Sequence, residues 1–340
     1  MRRMSGGRFA IAICAAAALP AGAAFVWDFY RSLHAVPLTN TQQVDWDIAE
    51  GSSFNRVIAG MERAGLIADR KPVPVRFYAA LYARLGGLEG SIKAGRYRIE
   101  PRMTLAGFLD MAASGKGILE RLRIIEGATL RQVLQTMRRH RAIETVAADA
   151  EEIRKHLGVD YPSLEGWFFP DTYFFSAGAA DVDLFRQGYE KMTRTLESVW
   201  RERAPGLHLA SPYEALILAS IVEKETARDD ERRRIAGVFL SRLEKGMLLQ
   251  ADPTVIYGMG LQFGGDIRKK DLKADTPYNT YRRKGLPPTP IAMPGLASLQ
   301  AVLHPEKTGA LYFVSRGDGS HHFSKTYGEH RKAVARYQLK

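Results

Sequence analysis

The chain has 340 residues, of which 46% are hydrophobic and 25% charged, and a formal net charge of +12. That length suits two globular parts, and the composition excludes wholesale disorder and a collagen-like repeat. The single cysteine, Cys14, excludes a disulfide-stapled fold.

The basic balance favours anionic partners without choosing among them. There is no zinc-finger spacing, RNA-binding aromatic signature or basic zipper region, so no nucleic-acid partner is expected.

Arg2, Arg3 and Arg8 precede an uncharged apolar run over residues 9–27. Nineteen residues of helix span about 28 Å, close to the thickness of a bilayer core. The arginines predict a cytoplasmic amino terminus by the positive-inside rule, and Trp27 and Tyr30 suit an interfacial aromatic belt. The predicted layout is a cytoplasmic segment 1–8, a single transmembrane helix 9–30 and a linker 31–43. A cleavable signal peptide is the rival, because Ala21-Gly22-Ala23 resembles a small-residue cleavage site. Either reading exports the rest.

Residues 44–48 alternate apolar and polar side chains, as a strand does. A turn at Gly51-Ser52-Ser53 leads into a helical pattern through Phe54, Val57, Ile58 and Met61, which stops at Gly65. The unit recurs weakly. Residues 94–99 are strand-like before a helix opening at Thr104, and residues 122–125 before one opening at Thr129. Such βα units suit a small module with helices on one sheet face. Residues 164–175 then hold six aromatics, two acids and a proline. This run reads equally as core packing or as the wall of a sugar cleft.

Ser211-Pro212-Tyr213-Glu214 is a capping box with proline at the first helical position. Residues 215–222 are then almost wholly apolar, so the helix is buried all round, and Glu223-Lys224-Glu225 follows directly. Composition alone reads these three as a solvated helix end. Burial, however, raises a carboxyl pKa toward neutrality, as a general acid for a glycosidic oxygen requires. Residues two apart on a helix point to opposite sides. Glu225 continues the bulky ridge of Leu218, Ile221 and Val222, whereas Glu223 continues Ala219 and Ser220. Glu225 is therefore the first choice of acid and Glu223 the second.

Ile235, Val238, Phe239 and Leu243 form the stripe of a further helix that stops at Gly246. Residues 249–260 read as a loop, a short apolar stretch and a glycine turn, with Asp252 held out of helical geometry by Pro253. Residues 276–281 and 285–291 are stiff loops suited to the rim of a site. A strand at 311–314 and a Gly317-Asp318-Gly319 turn lead to His321-His322. Adjacent strand residues face opposite ways, so this histidine pair makes a poor metal site. No zinc-protease motif, phosphate loop or nucleophile elbow is present. Neither metal nor cofactor is expected.

Ala219-Ser220-Ile221-Val222-Glu223-Lys224-Glu225-Thr226, Gln250-Ala251-Asp252-Pro253-Thr254-Val255-Ile256-Tyr257-Gly258, Tyr278-Asn279-Thr280-Tyr281 and Gly285-Leu286-Pro287-Pro288 resemble the MltG (YceG-like) endolytic murein transglycosylases. So do Glu165-Gly166-Trp167-Phe168-Phe169-Pro170-Asp171-Thr172-Tyr173 and the terminal His322-Phe323. The resemblance implies an α+β chain with one transmembrane helix, a LysM-like module over 44–120 and a mixed α/β catalytic domain over 121–340. It implies an inner-membrane protein facing the periplasm. Such a protein cuts nascent peptidoglycan strands between MurNAc and GlcNAc and leaves 1,6-anhydroMurNAc ends. Penicillin-binding proteins and other cell-wall synthesis proteins are implied partners. The family's catalytic glutamate carries onto Glu225, and Glu165, Asp171, Asp252, Tyr257, Asn279 and Tyr281 are the expected substrate-binding residues. The alternatives are a hydrolytic muramidase, with Asp171 or Asp252 placing water, and a non-catalytic peptidoglycan-binding scaffold.

Overall fold

The structure is a computed structural model and describes residues 22–68, 73–88 and 90–338. Most of the apolar run at 9–27 therefore lies outside the described residues. Residues 22–30 are helical, and among the described residues no helix is long and apolar enough to cross a membrane. The chain is mixed α/β, and it divides into two compact units.

The first unit comprises the described residues up to Glu120 together with Phe174–Ala179. Its strands β1 (Val44–Ile48) and β2 (Gly95–Ile99) pair antiparallel, with Trp46 opposite Tyr97. The register sets Asp45 across from Arg98 and Asp47 across from Arg96, and both pairs form ion pairs. Exposed pairs of this kind add little stability but favour one register over its slips. Helices α1 (Phe54–Arg63), α2 (Val75–Leu85) and α3 (Leu105–Ser114) bury Phe54, Ile58, Met61, Tyr78, Phe108 and Leu109 around Tyr97 and Ile99. Ser53 and Thr104 cap α1 and α3 by accepting from Arg56 N and Gly107 N.

The second unit comprises Arg121–Tyr173 and Ala180–Lys340. It is built from α4 (Leu130–Arg139), α5 (Ala150–Leu157), α6 (Asp181–Arg201), α7 (Pro212–Glu225), α8 (Asp229–Glu244), α9 (Asp252–Met259), α10 (Leu296–Leu303) and α11 (Tyr327–Tyr337). One hairpin, β3 (Tyr312–Ser315) with β4 (His321–Ser324), lies between α10 and α11 in sequence. Helix α7 is the axis, and α6, α8, α9 and α10 all pack on it. Every residue from Ala215 to Val222 is buried, so no face of this segment meets solvent. Gly237 on α8 allows a close backbone approach: a Cβ there would sit 2.3 Å from the Glu306 carbonyl oxygen.

One expectation changes here, and one open alternative is decided. Asp252 is the first residue of helix α9 rather than part of a loop, with Pro253 inside the first turn, where its missing N–H leaves no helical bond unmade. The aromatic run at 164–175 is mainly core: Trp167 and Phe168 are buried, while Phe174 is exposed.

Candidate active site

The end of α7 is set by local chemistry at both termini. Ser211 Oγ accepts from Glu214 N, and the Glu214 carboxylate accepts from Ala210 N at 2.6 Å. Midway along the helix, Ser220 Oγ donates to Ile217 O and accepts from Ile291 N at 2.9 Å, which ties α7 to the segment preceding α10. The helix stops at Glu225, because Thr226 is extended at φ −148°. The last side chain of a helix buried all round from Ala215 to Val222 is thus delivered into a cleft of about 490 Å³ within the second unit.

The lining of this cleft includes Glu225, Arg242, Gln250, Asp252, Tyr281 and His321. Burial pushes the Glu225 carboxyl up to about 8, the neighbouring Asp252 adds to the rise, and Arg242 opposes it. The partial negative charge of the α7 C-terminus acts in the same direction as Asp252. Neither carboxyl oxygen of Glu225 takes a hydrogen-bond partner among the described residues. The group is therefore a carboxylic acid near neutral pH with its proton free for a ligand.

Tyr281 donates to Asp252 Oδ1 at 2.5 Å. Burial and this bond raise the tyrosine pKa, so the phenol keeps its proton. Its position comes from Asn279, which is buried beneath it. Asn279 Nδ2 donates to the carbonyls of Asp271, Leu272 and Ala274, and Oδ1 accepts from Tyr281 N at 2.9 Å. Thr280 Oγ1 accepts from Ala251 N at 3.0 Å and bonds Thr254 Oγ1 at 2.9 Å, which fastens this loop to the start of α9. Asn279 thus serves the loop, and Tyr281 reaches the cleft.

The other expected residues lie elsewhere in the unit. Glu223 faces away from Glu225 and accepts from Gly295 N at 3.0 Å. Glu165 is buried, accepting from Leu130 N at 2.8 Å and from the Tyr257 hydroxyl at 3.0 Å. Burial pushes its carboxyl up to about 7 against those bonds. Tyr257 in turn edges onto Tyr278 at 4.8 Å. Asp171 pairs with Lys191 and accepts from Thr172 N, and these contacts hold its carboxyl below the usual range. Of the eight expected residues, Glu225, Asp252 and Tyr281 line one cleft; Asn279 supports it; Glu165 and Tyr257 pair with each other; Asp171 and Glu223 are bound separately.

Sequence reasoning missed the opposite wall. Arg242 is buried, its Nε donating to Leu311 O at 2.6 Å and its Nη1 to Leu249 O at 2.8 Å. The guanidinium also lies over the Tyr312 ring at 5.1 Å. A signal existed: Arg242 falls four residues after Val238 and seven after Ile235, inside the apolar stripe. Gln250 has φ +51°, a left-handed conformation that costs a non-glycine residue energy and concentrates at functional sites. Tyr312 and His330 stack at 5.2 Å and also line the cleft. Among the described residues, no group of three or more His, Cys, Asp or Glu is placed to hold a metal ion.

A helical unit that delivers one neutral carboxylic acid to a polar, aromatic-walled cleft defines a class of proton-donating site. The comparisons are specific about its lineage. The model of the YceG-like family matches residues 46–336. An endolytic murein transglycosylase of Bacillus subtilis strain 168 is 30% identical over 324 residues, covering 90% of this chain and 88% of that protein. One of Streptococcus pneumoniae strain ATCC BAA-255 / R6 is 28% identical over 94% of this chain, which spans 63% of its length. A crystal structure of a yceG-like protein from Listeria monocytogenes matches at TM-score 0.53 and 27% identity, over 86% of this chain and 99% of that one. The chain belongs to the YceG-like family.

Proposed function

We propose that the chain is an endolytic peptidoglycan lytic transglycosylase that cleaves the MurNAc–GlcNAc bond of nascent glycan strands, with Glu225 as its general acid and base. The observation that carries this is the neutral Glu225 carboxyl, unpartnered at the cleft, in a chain whose relatives are named endolytic murein transglycosylases. Glu225 protonates the glycosidic oxygen as the bond to C1 breaks. The C6 hydroxyl of the same muramic residue then attacks C1, and the ionised Glu225 takes the hydroxyl proton, which restores the acid and closes the 1,6-anhydro ring. An intramolecular nucleophile supplies its own proximity, so no second carboxylate is obligatory. Tyr281 and Asp252 orient the sugar beside the acid.

The same reading places the chain in the inner membrane by a single segment at 9–30, amino terminus in the cytoplasm. It places a LysM-like module at 44–120 and a catalytic domain at 121–340 in the periplasm, near penicillin-binding proteins. One observation favours a second reading. Asp252 sits close enough to Glu225 to raise its pKa, and two carboxylates in one cleft suit a hydrolytic muramidase.

The test is mass analysis of products from intact glycan strands incubated with the full-length chain. Anhydro-ended fragments from the strand interior are expected. Reducing ends would make it a muramidase, and no fragments at all would leave a peptidoglycan-binding scaffold. Glu223→Gln is expected to keep cleavage within about threefold, because Glu223 serves Gly295 and not the cleft. A loss of a hundredfold in initial rate, with unchanged melting, would move the acid to Glu223.

A further inference from the structure

The strongest feature not used above is a part-buried histidine on the wall of the same cleft, held by a buried glutamate. Glu231 lies in the first turn of α8 and is 7% exposed. Both donors of His321, the first residue of β4, go to its carboxylate: the backbone N–H to Oε1 at 3.0 Å and ring Nδ1 to Oε2 at 2.8 Å. A carboxylate only accepts, so Nδ1 carries the proton, and in the neutral ring Nε2 is left with a lone pair. Phe313 meets the ring edge-on at 5.4 Å, which fixes its rotation. Nε2 takes no protein partner among the described residues, and His321 lines the cleft that holds Glu225.

A pair that only fastened the hairpin to α8 would need no more than the backbone N–H. Holding the ring as well costs the burial of a second polar group, and what it yields is one nitrogen of defined tautomer and direction facing the cleft. We infer that His321 contacts the substrate: Nε2 accepts a hydrogen bond from a hydroxyl of the glycan strand, and Glu231 is the positioning residue that sets the tautomer. This inference rests on the reading of the cleft as a glycan site.

Binding separates the two. In a Glu225→Gln background, which removes turnover, the affinity of the full-length chain for denuded strands of alternating GlcNAc and MurNAc is measured with His321 intact, with His321→Ala and with Glu231→Gln. Each second substitution is expected to weaken binding about tenfold. Glu231→Gln acts without a change of size, because its amide N–H donates to Nδ1 and moves the proton to Nε2. With histidine labelled in ¹⁵N, the Nδ1-protonated tautomer is expected in the Glu225→Gln chain and the Nε2-protonated one after Glu231→Gln. Saturating strands should shift the Nε2 resonance of the former.

Unchanged affinity in both double variants, or an Nε2 resonance unmoved at saturation, would overturn the inference while leaving the glycan-site reading intact. Failure of the Glu225→Gln chain to bind strands would overturn both. If His321→Ala melts without cooperativity, the Glu231→Gln affinity and the Nε2 resonance decide the matter.

Discussion

Glu225→Gln is expected to lower strand cleavage at least about a thousandfold while raising the melting temperature at alkaline pH. On the proposed mechanism the rate loss follows from removing the acid that protonates the glycosidic oxygen; general acid–base catalysis alone is worth about 10²–10⁴-fold. The stability gain follows from linkage. The folded Glu225 pKa is raised from 4.5 to about 8, so its contribution to stability is fully present below about pH 4.5 and is lost as pH rises through about 8. Glutamine carries no such loss. One pKa unit corresponds to about 1.4 kcal/mol, and the side chain's partial accessibility reduces the full shift, so a gain of about 1–3 kcal/mol is expected at pH 9 and almost none at pH 4. Each kcal/mol moves the melting temperature by about 2–4 °C in a unit of this size. Melting curves of both proteins at pH 4 and pH 9 check this. A variant no more stable than wild type at pH 9 would mean that the carboxyl ionises there without penalty. Glu165, whose pKa is also raised, is common to both proteins and cancels in the comparison.

Arg242→Met has the second largest expected effect, and it acts on fold and chemistry together. The substitution keeps an apolar stem on α8 but leaves the carbonyl oxygens of Leu249 and Leu311 without their donor. Unmaking buried bonds to a charged group costs about 3 kcal/mol, or a fall of about 6–12 °C in melting temperature. It also removes the cation that opposes the rise of the Glu225 pKa, so the surviving activity should extend to higher pH than in wild type. Arg242→Lys keeps the charge but not the planar fork. It should restore the wild-type alkaline limb while recovering little of the stability. Calorimetry together with pH–rate profiles of the three proteins separates the two roles. An alkaline limb that does not move in Arg242→Met would show that the guanidinium serves only the fold.

The parts legible in the sequence are those whose cause is local. The Ser211 cap and the apolar run to Val222 define α7, although the Glu214 carboxylate accepts from Ala210 N and not from Ser211 N as a full capping box would have it; the ridge argument distinguishes Glu225 from Glu223. The two side chains do go to opposite sides, one to the cleft and one to Gly295. The hairpin whose second strand opens at His321 is likewise set by its own Gly317-Asp318-Gly319 turn. The wall opposite Glu225 was not legible, because Arg242, Tyr312, His321 and His330 come together only through the packing of α8, β3, β4 and α11. A polar residue within an apolar stripe is the one trace that Arg242 leaves in the sequence. Asn279 and Glu165 show the converse. Each is a polar residue in a recognisable motif, yet their partners are largely backbone groups of a loop and a helix start. No spacing rule reveals which polar motif residues bind the chain itself and which are left to bind a ligand.

The most direct measurement of the central claim is the titration of Glu225 itself, read as the ¹³C carboxyl resonance present in the wild-type chain and missing from Glu225→Gln. A midpoint near pH 8, coincident with the alkaline fall of kcat/KM for strand cleavage, is the predicted result. A midpoint near 4.5 would contradict it, because Glu225 would then be an ordinary carboxylate at neutral pH with no proton to give the glycosidic oxygen.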